Sequence, residues 1–186
     1  LQHVKNVIGN KLLIINTNDL SGDYLQYADG MMLEGFIHAS WENLDYFWPD
    51  PMYFLSALTN LSGTGKYFLA HSGAKIPENP TQEVLRKAHD IMLYCLVSYL
   101  LGANGPIASF GWNDILSKDE SQGYYAEMNY YTGAPLGDYF VKDGLYVRYF
   151  EHAIVIANFN PANRLSTVID GISYTLEPHS GIIVAK

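Results

Sequence analysis

The amino-acid sequence predicts an α/β fold in which a parallel sheet is followed by a small antiparallel β-sheet domain. Four short apolar runs, each typical of a buried strand, are spaced along residues 1–122 and alternate with helical patterns or loops, which indicates βα units. From about Gly123 the sequence instead carries Tyr, Gly and Pro turns between β-rich runs. We therefore expect two domains: an α/β unit at 1–122 and a sandwich-like β-sheet domain at 123–186.

The strands of the first domain follow a short helix. Gln2–Ile8 is predicted to be helical, and Gly9 ends the helix. The four apolar runs after it are predicted to be parallel strands in sequential order, because short connections keep neighbouring strands adjacent. These runs are Lys11–Asn16, Met31–Phe36, Lys66–Ala70 and Ile107–Phe110.

Two longer helices are predicted between these strands. One spans Pro51–Leu61, ahead of the third strand. The other spans Thr81–Leu101, where apolar residues recur with helical period, Thr81 is a suitable N-cap and Gly102 ends the pattern. Four βα units are half of an eightfold (β/α) barrel, which usually needs roughly 250 residues. The fold expected for residues 1–122 is therefore the carboxyl-terminal half of a TIM barrel.

The second domain is predicted from hairpin patterns. Strands are expected within Leu145–Phe159, at Ser166–Ile169 and at Gly181–Ala185, with turns at Asn160-Pro161 and Asp170-Gly171. We expect this sheet to be separate from the parallel sheet and to pack on it.

Composition and charge exclude several classes of protein. The 186 residues are 48% hydrophobic and 16% charged, as in a folded protein rather than a disordered one. The net charge of −8 and the absence of a Lys/Arg cluster argue against nucleic acids and anionic membranes as partners. No apolar run reaches the about 18 residues of a membrane span.

Glu34 is the strongest candidate for a catalytic residue. It is the single acidic residue in an otherwise apolar strand, close to the strand's carboxyl end. A carboxyl group there can act as a general acid if its setting is partly apolar, or as a nucleophile if it stays ionised. The alternative is a structural Glu that is bound by a Tyr or a backbone amide. Asp29 lies at the opposite end of the same strand and is expected to be structural.

Other polar and aromatic residues follow the predicted strands, where the loops of a parallel sheet face one pocket. Taken singly, each is a common turn or loop residue, so the prediction depends on their convergence. The substrate-binding candidates are Asn16, Asn18, His38, Trp41, His71, Trp112 and Asp114.

Other chemistries lack their sequence patterns. The His residues do not have metalloprotease spacing, and we expect neither a metal nor another cofactor. Gly63-Thr64-Gly65-Lys66 lacks the full phosphate-loop pattern and precedes a strand rather than a helix. The lone Cys95 lies on the apolar face of a long helix, and Ser72 lacks the glycine of a nucleophile elbow.

The sequence around Glu34 resembles a family of TIM-barrel glycoside hydrolases. Asp29–Phe36 matches the strand pattern Asp-Gly-x-x-x-Glu-Gly-Phe, and the stretches Gly65–Gly73 and Tyr99–Leu101 are similar in kind and order. The resemblance continues in the tail through Gly133–Gly137, Tyr146–Phe150, Val155–Asn158 and Leu176–Gly181.

The resemblance implies that Glu34 is one of two catalytic carboxylates and that the substrate is a carbohydrate. The second carboxylate is expected on an earlier strand outside these 186 residues, so these residues alone are expected to be inactive. A missing amino-terminal half-barrel, a second chain or another copy of this chain is expected to cover the open sheet edges.

Two alternatives stay open. The chain could be a non-catalytic carbohydrate-binding or structural protein derived from such a barrel. It could also be another barrel enzyme, such as an isomerase or aldolase, which would need a Lys or a metal that the strand ends do not provide. The sugar, the linkage, the stereochemical outcome, the oligomeric state and the cellular compartment are not determined by the sequence.

Overall fold

A computed structural model describes residues 1–39, 44–62, 64–104, 108–116, 120–121 and 125–186. The predicted boundary between residues 122 and 123 lies outside the described residues. The amino-terminal part is an α/β arrangement with helices α1 (Gln2–Ile8), α2 (Pro51–Ser62) and α3 (Gln82–Gly102) and strands β1 (Ile14–Asn16), β2 (Gly30–Glu34), β3 (Tyr67–Ile76), β4 (Ala108–Leu116) and β5 (Glu120–Ser121). The carboxyl-terminal part contains β6 (Phe140–Lys142), β7 (Leu145–Tyr149), β8 (Ala153–Asn158), β9 (Leu165–Ile169), β10 (Ile172–Leu176) and β11 (Ser180–Ala185).

Strands β1 to β4 form one parallel sheet in sequential order. This confirms the predicted parallel arrangement. The short β5 adds an antiparallel strand beside Asp114 and Ile115 of β4, which the sequence did not predict. The register places Glu34 beside His71 of β3, and His71 in turn beside Gly111 of β4.

Two features of the parallel sheet differ from the prediction. Strands β3 and β4 continue to Ile76 and Leu116, six residues beyond their predicted ends, because each satisfies the other's backbone groups along this extension. The connection from β1 to β2 contains only a 3₁₀ turn at Asp23–Gln26. Helical cover in the described part of the sheet therefore comes from α2 and α3.

Helices α2 and α3 cover one face of the parallel sheet. Side chains alternate between the two faces of a strand, so Met31, Leu33, Phe68 and Ala70 share a face, and all four are buried in one hydrophobic cluster with the helices. Thr81 caps α3 as predicted, with its Oγ1 accepting the amide N–H of Val84 at 3.3 Å.

The opposite face of the parallel sheet carries Glu34. The same alternation places Asn16, His71 and four apolar residues on this face. The apolar four are only partly buried, and among the described residues they join neither of the two hydrophobic clusters; they are Ile14, Met32, Tyr67 and Leu69. This face is therefore much less covered than the helix-bearing face.

The carboxyl-terminal strands are antiparallel, as the hairpin patterns predicted, but they form two sheets where one was expected. The larger has the order β11-β8-β7-β6, and β9 pairs with β10 in a separate hairpin. The two tightest hairpins turn at Asp143-Gly144 and Asp170-Gly171. In each pair the φ angle is 51° at Asp and 82° at Gly. Asp-Gly suits such turns because both residues tolerate the left-handed region.

Strand β8 of the four-stranded antiparallel sheet is buried on both faces. Val155 and Ala157 of β8 face α3 and join its hydrophobic cluster, whereas Ile154 and Ile156 face the β9–β10 hairpin. Helix α3 therefore lies between the parallel and the antiparallel sheet, and this explains why the consecutive residues 94–98 in its carboxyl-terminal half are all buried.

Arg148 joins the antiparallel sheet to the end of α3. Its side chain is 1% exposed, and its Nη1 donates hydrogen bonds to the carbonyl oxygens of Leu100, Leu101 and Ala103 at 2.8–3.0 Å. Its Nε donates to Gly137 O at 2.8 Å, and its Nη2 donates to Asn104 Oδ1. One cation thus satisfies carbonyls that a helix end leaves without partners.

Gly181 of β11 allows the antiparallel sheet to approach α3 closely. A Cβ at this position would lie 2.9 Å from Val97 Cβ, which is fixed to the helix backbone. We expect Gly181→Ala to lower the free energy of unfolding by about 1–3 kcal/mol, as overpacking does, in urea denaturation. Gly137→Ala is the control because nothing lies within 4 Å of its Cβ position. Equal stability of the two variants would contradict this packing.

No helix in the described part of the chain combines the length and the apolar composition that crossing a bilayer requires.

Candidate functional site

Glu34 is the last residue of β2, and its side chain is held by the neighbouring strand. Asn16, which ends β1, donates from Nδ2 to Glu34 Oε1 at 3.0 Å. The side chain of Glu34 is partly buried. The carboxylate is therefore oriented by an amide and retains access to solvent.

A cavity of about 260 Å³ opens beside Glu34. One of its walls is aromatic, and the lining includes a second carboxylate, that of Asp50. The full set of lining residues is Asn18, Glu34, Gly35, Trp48, Pro49, Asp50, Tyr53 and Phe54. A mostly apolar cavity with a few polar groups at one side is the usual form of a small-molecule site.

The chain makes a strained turn directly after Glu34. Gly35 and Ile37 have φ angles of 80° and 64°, and His38 N–H donates to Phe36 O at 2.7 Å across a γ-turn centred on Ile37. Positive φ is costly for a β-branched residue and occurs mainly where the surrounding structure enforces it. Here, His71 O enforces it by accepting the amides of Gly35 and Phe36 at 2.8 and 2.9 Å.

The turn fixes Trp48 beside Glu34. Trp48 Nε1 donates to Gly35 O at 2.7 Å, and its backbone N–H donates to Ile37 O at 3.4 Å. The ring packs edge-on against Tyr46, with centroids 5.5 Å apart, and lies tilted against Phe54, with centroids 5.9 Å apart. The aromatic wall is therefore held in place by hydrogen bonds and by ring packing.

Asp50 has a structural contact of its own. Its Oδ1 accepts the amides of Met52 and Tyr53 at 3.0 and 3.3 Å, so it caps the start of α2. The sequence Asp50-Pro51 is a recognisable helix start, since Pro is favoured at the first helical position. That pattern could have placed the aromatic residues of the first turn near the strand ends.

His71 lies next to Glu34 and has an unusual polar atom. The two residues are register partners on adjacent parallel strands, so their side chains leave the sheet on the same side. Within the part of the chain that the structure describes, His71 Nδ1 is buried and has no hydrogen-bond partner. A buried ring nitrogen without a partner is costly and is normally satisfied by water or a ligand.

Three predicted site residues lie away from this cavity. His38 is fully buried, and its Nδ1 donates to Gly73 O at 2.8 Å. Trp112 and Asp114 lie within β4 on the helix-bearing face, and Trp112 Nε1 donates to Asp114 Oδ1 at 2.8 Å. Tyr125 OH donates to Asp114 Oδ2 at 3.2 Å. The predicted Trp41 lies outside the described residues.

The structure thus brings together part of the predicted set. Glu34, Asn16, Asn18 and His71 lie at or beside the cavity. The prediction assumed that β3 and β4 end at Ala70 and Phe110, and their greater length moves Trp112 and Asp114 into a strand interior. The aromatic wall, with Asp50, was not predicted because the loop and helix start that supply it carry no strand-end pattern.

Cys95 is buried in the core, and we expect its environment to make the protein sensitive to alkali. Burial raises the pKa of the Cys95 thiol from 9.0 to about 12, and burial raises the pKa of Tyr99 from 10.0 to about 12. Both groups hold their protons more tightly when folded, so their contribution to stability is full below about pH 9 and is lost as pH rises toward 12.

The measurement is the urea midpoint as a function of pH across this interval. The midpoint should fall as pH rises, and it should fall less steeply in a Cys95→Ala variant, which retains the contribution of Tyr99. A midpoint that stays constant to the alkaline end would contradict the assignment.

Within the described ranges, no group of three or more His, Cys, Asp or Glu side chains is arranged to hold a metal ion.

Comparison with known proteins matches most of the chain to a family. The model of a family described as hypothetical glycosyl hydrolase family 15 matches residues 1–154. No curated protein matches the chain.

Proposed function

Since the chain belongs to the hypothetical glycosyl hydrolase family 15, we propose that it contributes one of two catalytic carboxylates, Glu34, to the hydrolysis of glycosidic bonds. The observation that supports this most strongly is the position of Glu34 in the structure. It ends a parallel strand, is oriented by Asn16 and borders a cavity with an aromatic wall. In barrels of parallel strands, catalytic residues usually lie at the carboxyl ends of the strands.

Glycosidases of this kind need a second carboxyl group about 5–9.5 Å from the first, as nucleophile in retaining enzymes or as base in inverting enzymes. Asp50 borders the same cavity but caps α2 through Oδ1. We therefore propose that the second carboxylate lies on another strand of the complete barrel. With that group in place, Glu34 would serve either as the acid that protonates the leaving oxygen or as the nucleophile that attacks the sugar.

We further propose that the parallel sheet is half of a TIM barrel. Helices cover one face of the sheet, and the other face presents Met32 and Leu69 with little cover. In a closed barrel this second face is the interior, which layers of branched and apolar side chains fill. The outer edge of β1 has no partner strand among the described residues, and β5 pairs with only a short part of β4. The remaining strands, from the same polypeptide or a second chain, would cover these edges.

The other predicted residues divide between two roles in this proposal. Asn16 orients Glu34 and Asn18 binds substrate hydroxyl groups at the cavity, whereas His71 lies beside Glu34 on β3 and outside the described cavity lining. We assign His38, Trp112 and Asp114 to packing around the site because their described contacts lie on the helix-bearing side.

The alternative is carbohydrate binding without cleavage. It is favoured by the aromatic wall and by the helix cap that Asp50 provides. Because Asp50 is engaged as a cap, Glu34 is the one carboxylate of the described cavity lining that does not cap a helix. The test is to incubate the full-length protein and its Glu34→Gln variant with polysaccharides and to measure new reducing ends. Cleavage that Glu34→Gln abolishes supports hydrolysis, whereas saturable binding without cleavage by either protein selects the alternative.

A further inference from the structure

We infer that the cavity beside Glu34 is a subsite for one neutral sugar unit and that it excludes uronic acids and other anionic sugars. This inference rests on the proposed function and specifies its substrate class. Three properties of the cavity support it: the aromatic wall, the charge of the lining, and the size and rigidity of the cavity.

The aromatic wall suits the apolar face of a sugar ring. Trp48 and Tyr53 both border the cavity. Tyr53 lies on the first turn of α2 and is 51% exposed. Phe54 packs against both rings, at 5.9 Å from Trp48 and 5.7 Å from Tyr53. Aromatic rings that combine an apolar face with a polar edge can stack on the C–H groups of a pyranose while its hydroxyls reach polar neighbours.

The charge of the lining selects against anions. Glu34 and Asp50 are the two carboxylates of the described lining, and no Lys, Arg or His is among the described residues that line the cavity. A carboxylate or sulfate on the sugar would be brought near two like charges without a cation to compensate, and a concave site intensifies that repulsion. Neutral sugars do not incur this cost.

The size and rigidity of the cavity fit a single unit. Its volume of about 260 Å³ lies just below the roughly 300–1,000 Å³ of sites for drug-sized ligands. Trp48 is fixed by its hydrogen bonds to Gly35 and Ile37, so little side-chain order has to be gained on binding. Further sugar units would lie outside this cavity.

The test uses the full-length protein carrying Glu34→Gln, so that bound sugars are not cleaved. Isothermal titration calorimetry would compare hexaoses of glucose, mannose, galactose and xylose with oligogalacturonate of the same length. We expect at least one neutral hexaose to bind on the order of tenfold more tightly than the oligogalacturonate, which corresponds to about 1.4 kcal/mol. Because this background already lacks one of the two charges, the comparison underestimates the discrimination by the native site.

Three further substitutions in the same background assign the effect to this cavity. Tyr53→Ala removes a half-exposed ring and is expected to weaken binding of the neutral hexaose on the order of tenfold. Tyr27→Ala, at a 37% exposed tyrosine of a different cavity, is the matched control and should leave binding unchanged. Asp50→Asn keeps the helix cap and removes the charge, so it should reduce the difference in affinity between neutral and anionic sugars.

The inference is overturned if the oligogalacturonate binds as tightly as every neutral hexaose, if no hexaose binds, or if Tyr53→Ala and Tyr27→Ala behave alike. Cleavage by the protein with native Glu34 is measured separately. If cleavage is absent but the binding pattern holds, the catalytic proposal fails and the subsite stands. If a neutral glycan is cleaved but Tyr53→Ala has no effect on binding, the subsite fails and the catalytic proposal stands.

Discussion

Replacing Glu34 with Gln in the full-length protein is expected to lower kcat for glycoside cleavage by at least the order of 10²–10⁴ that a general acid or base contributes. Gln has nearly the same shape and can still hydrogen bond with Asn16, which donates to Glu34 at 3.0 Å. It cannot deliver a proton or form a glycosyl ester. The fold and the urea midpoint should therefore change little while turnover is lost.

Glu83→Gln provides the matched control for this experiment. Glu83 lies exposed in the first turn of α3, away from the cavity beside Glu34. The same chemical change there should leave turnover intact and cost at most about 0.3–1 kcal/mol through the helix dipole. Turnover that survives in Glu34→Gln would remove Glu34 from the catalytic role. Collapse of the fold in that variant would instead make Glu34 a structural residue.

Replacing Arg148 with Met is expected to lower the free energy of unfolding by about 3–5 kcal/mol, because three carbonyl oxygens lose their charged donor and each unsatisfied buried group costs about 1–3 kcal/mol. Met fills a similar volume but leaves the carbonyls of Leu100, Leu101 and Ala103 at the end of α3 without the donor that Arg148 supplies. Each buried carbonyl that loses its partner adds a desolvation cost. Urea denaturation followed by circular dichroism measures the loss.

Two further variants test the origin of the Arg148 effect. Arg148→Lys keeps the charge but not the planar fork, so its stability should lie between those of the wild type and Arg148→Met. Arg164→Met removes an arginine that is 65% exposed and pairs with Glu177, and it should cost no more than about 1 kcal/mol. Similar losses from Arg148→Met and Arg164→Met would show that the contacts with the end of α3 contribute little.

Much of the fold follows from local patterns in the sequence. Helix α3 was predicted with its cap because Thr81 and a sustained helical period are both local features. The parallel order of β1 to β4 followed from the alternation of strands with short connections. The ends of β3 and β4 were wrong, because backbone pairing between distant segments, rather than residue type, continues a strand through His71-Ser72-Gly73.

The candidate site was only partly predictable for a similar reason. Glu34 stands out because a carboxylate at the end of an apolar strand is a local anomaly. Trp48 and Tyr53 do not stand out, since aromatic residues near a helix start have no fixed role. They reach Glu34 through the turn at Ile37, whose positive φ no sequence rule anticipates for a β-branched residue.

The position of α3 between two sheets bears on how this architecture could evolve. In the carboxyl-terminal half of α3 the consecutive residues 94–98 are all buried, so both sheets cover apolar side chains that solvent would otherwise reach. An appended module that docks through a polar surface can be exchanged or lost in evolution with little effect on its host. Here, deleting the antiparallel sheet would expose the apolar side of α3 and the carbonyls that Arg148 binds. We therefore expect the two parts to be inherited together, and the carboxyl-terminal sheet to be a poor donor for domain exchange.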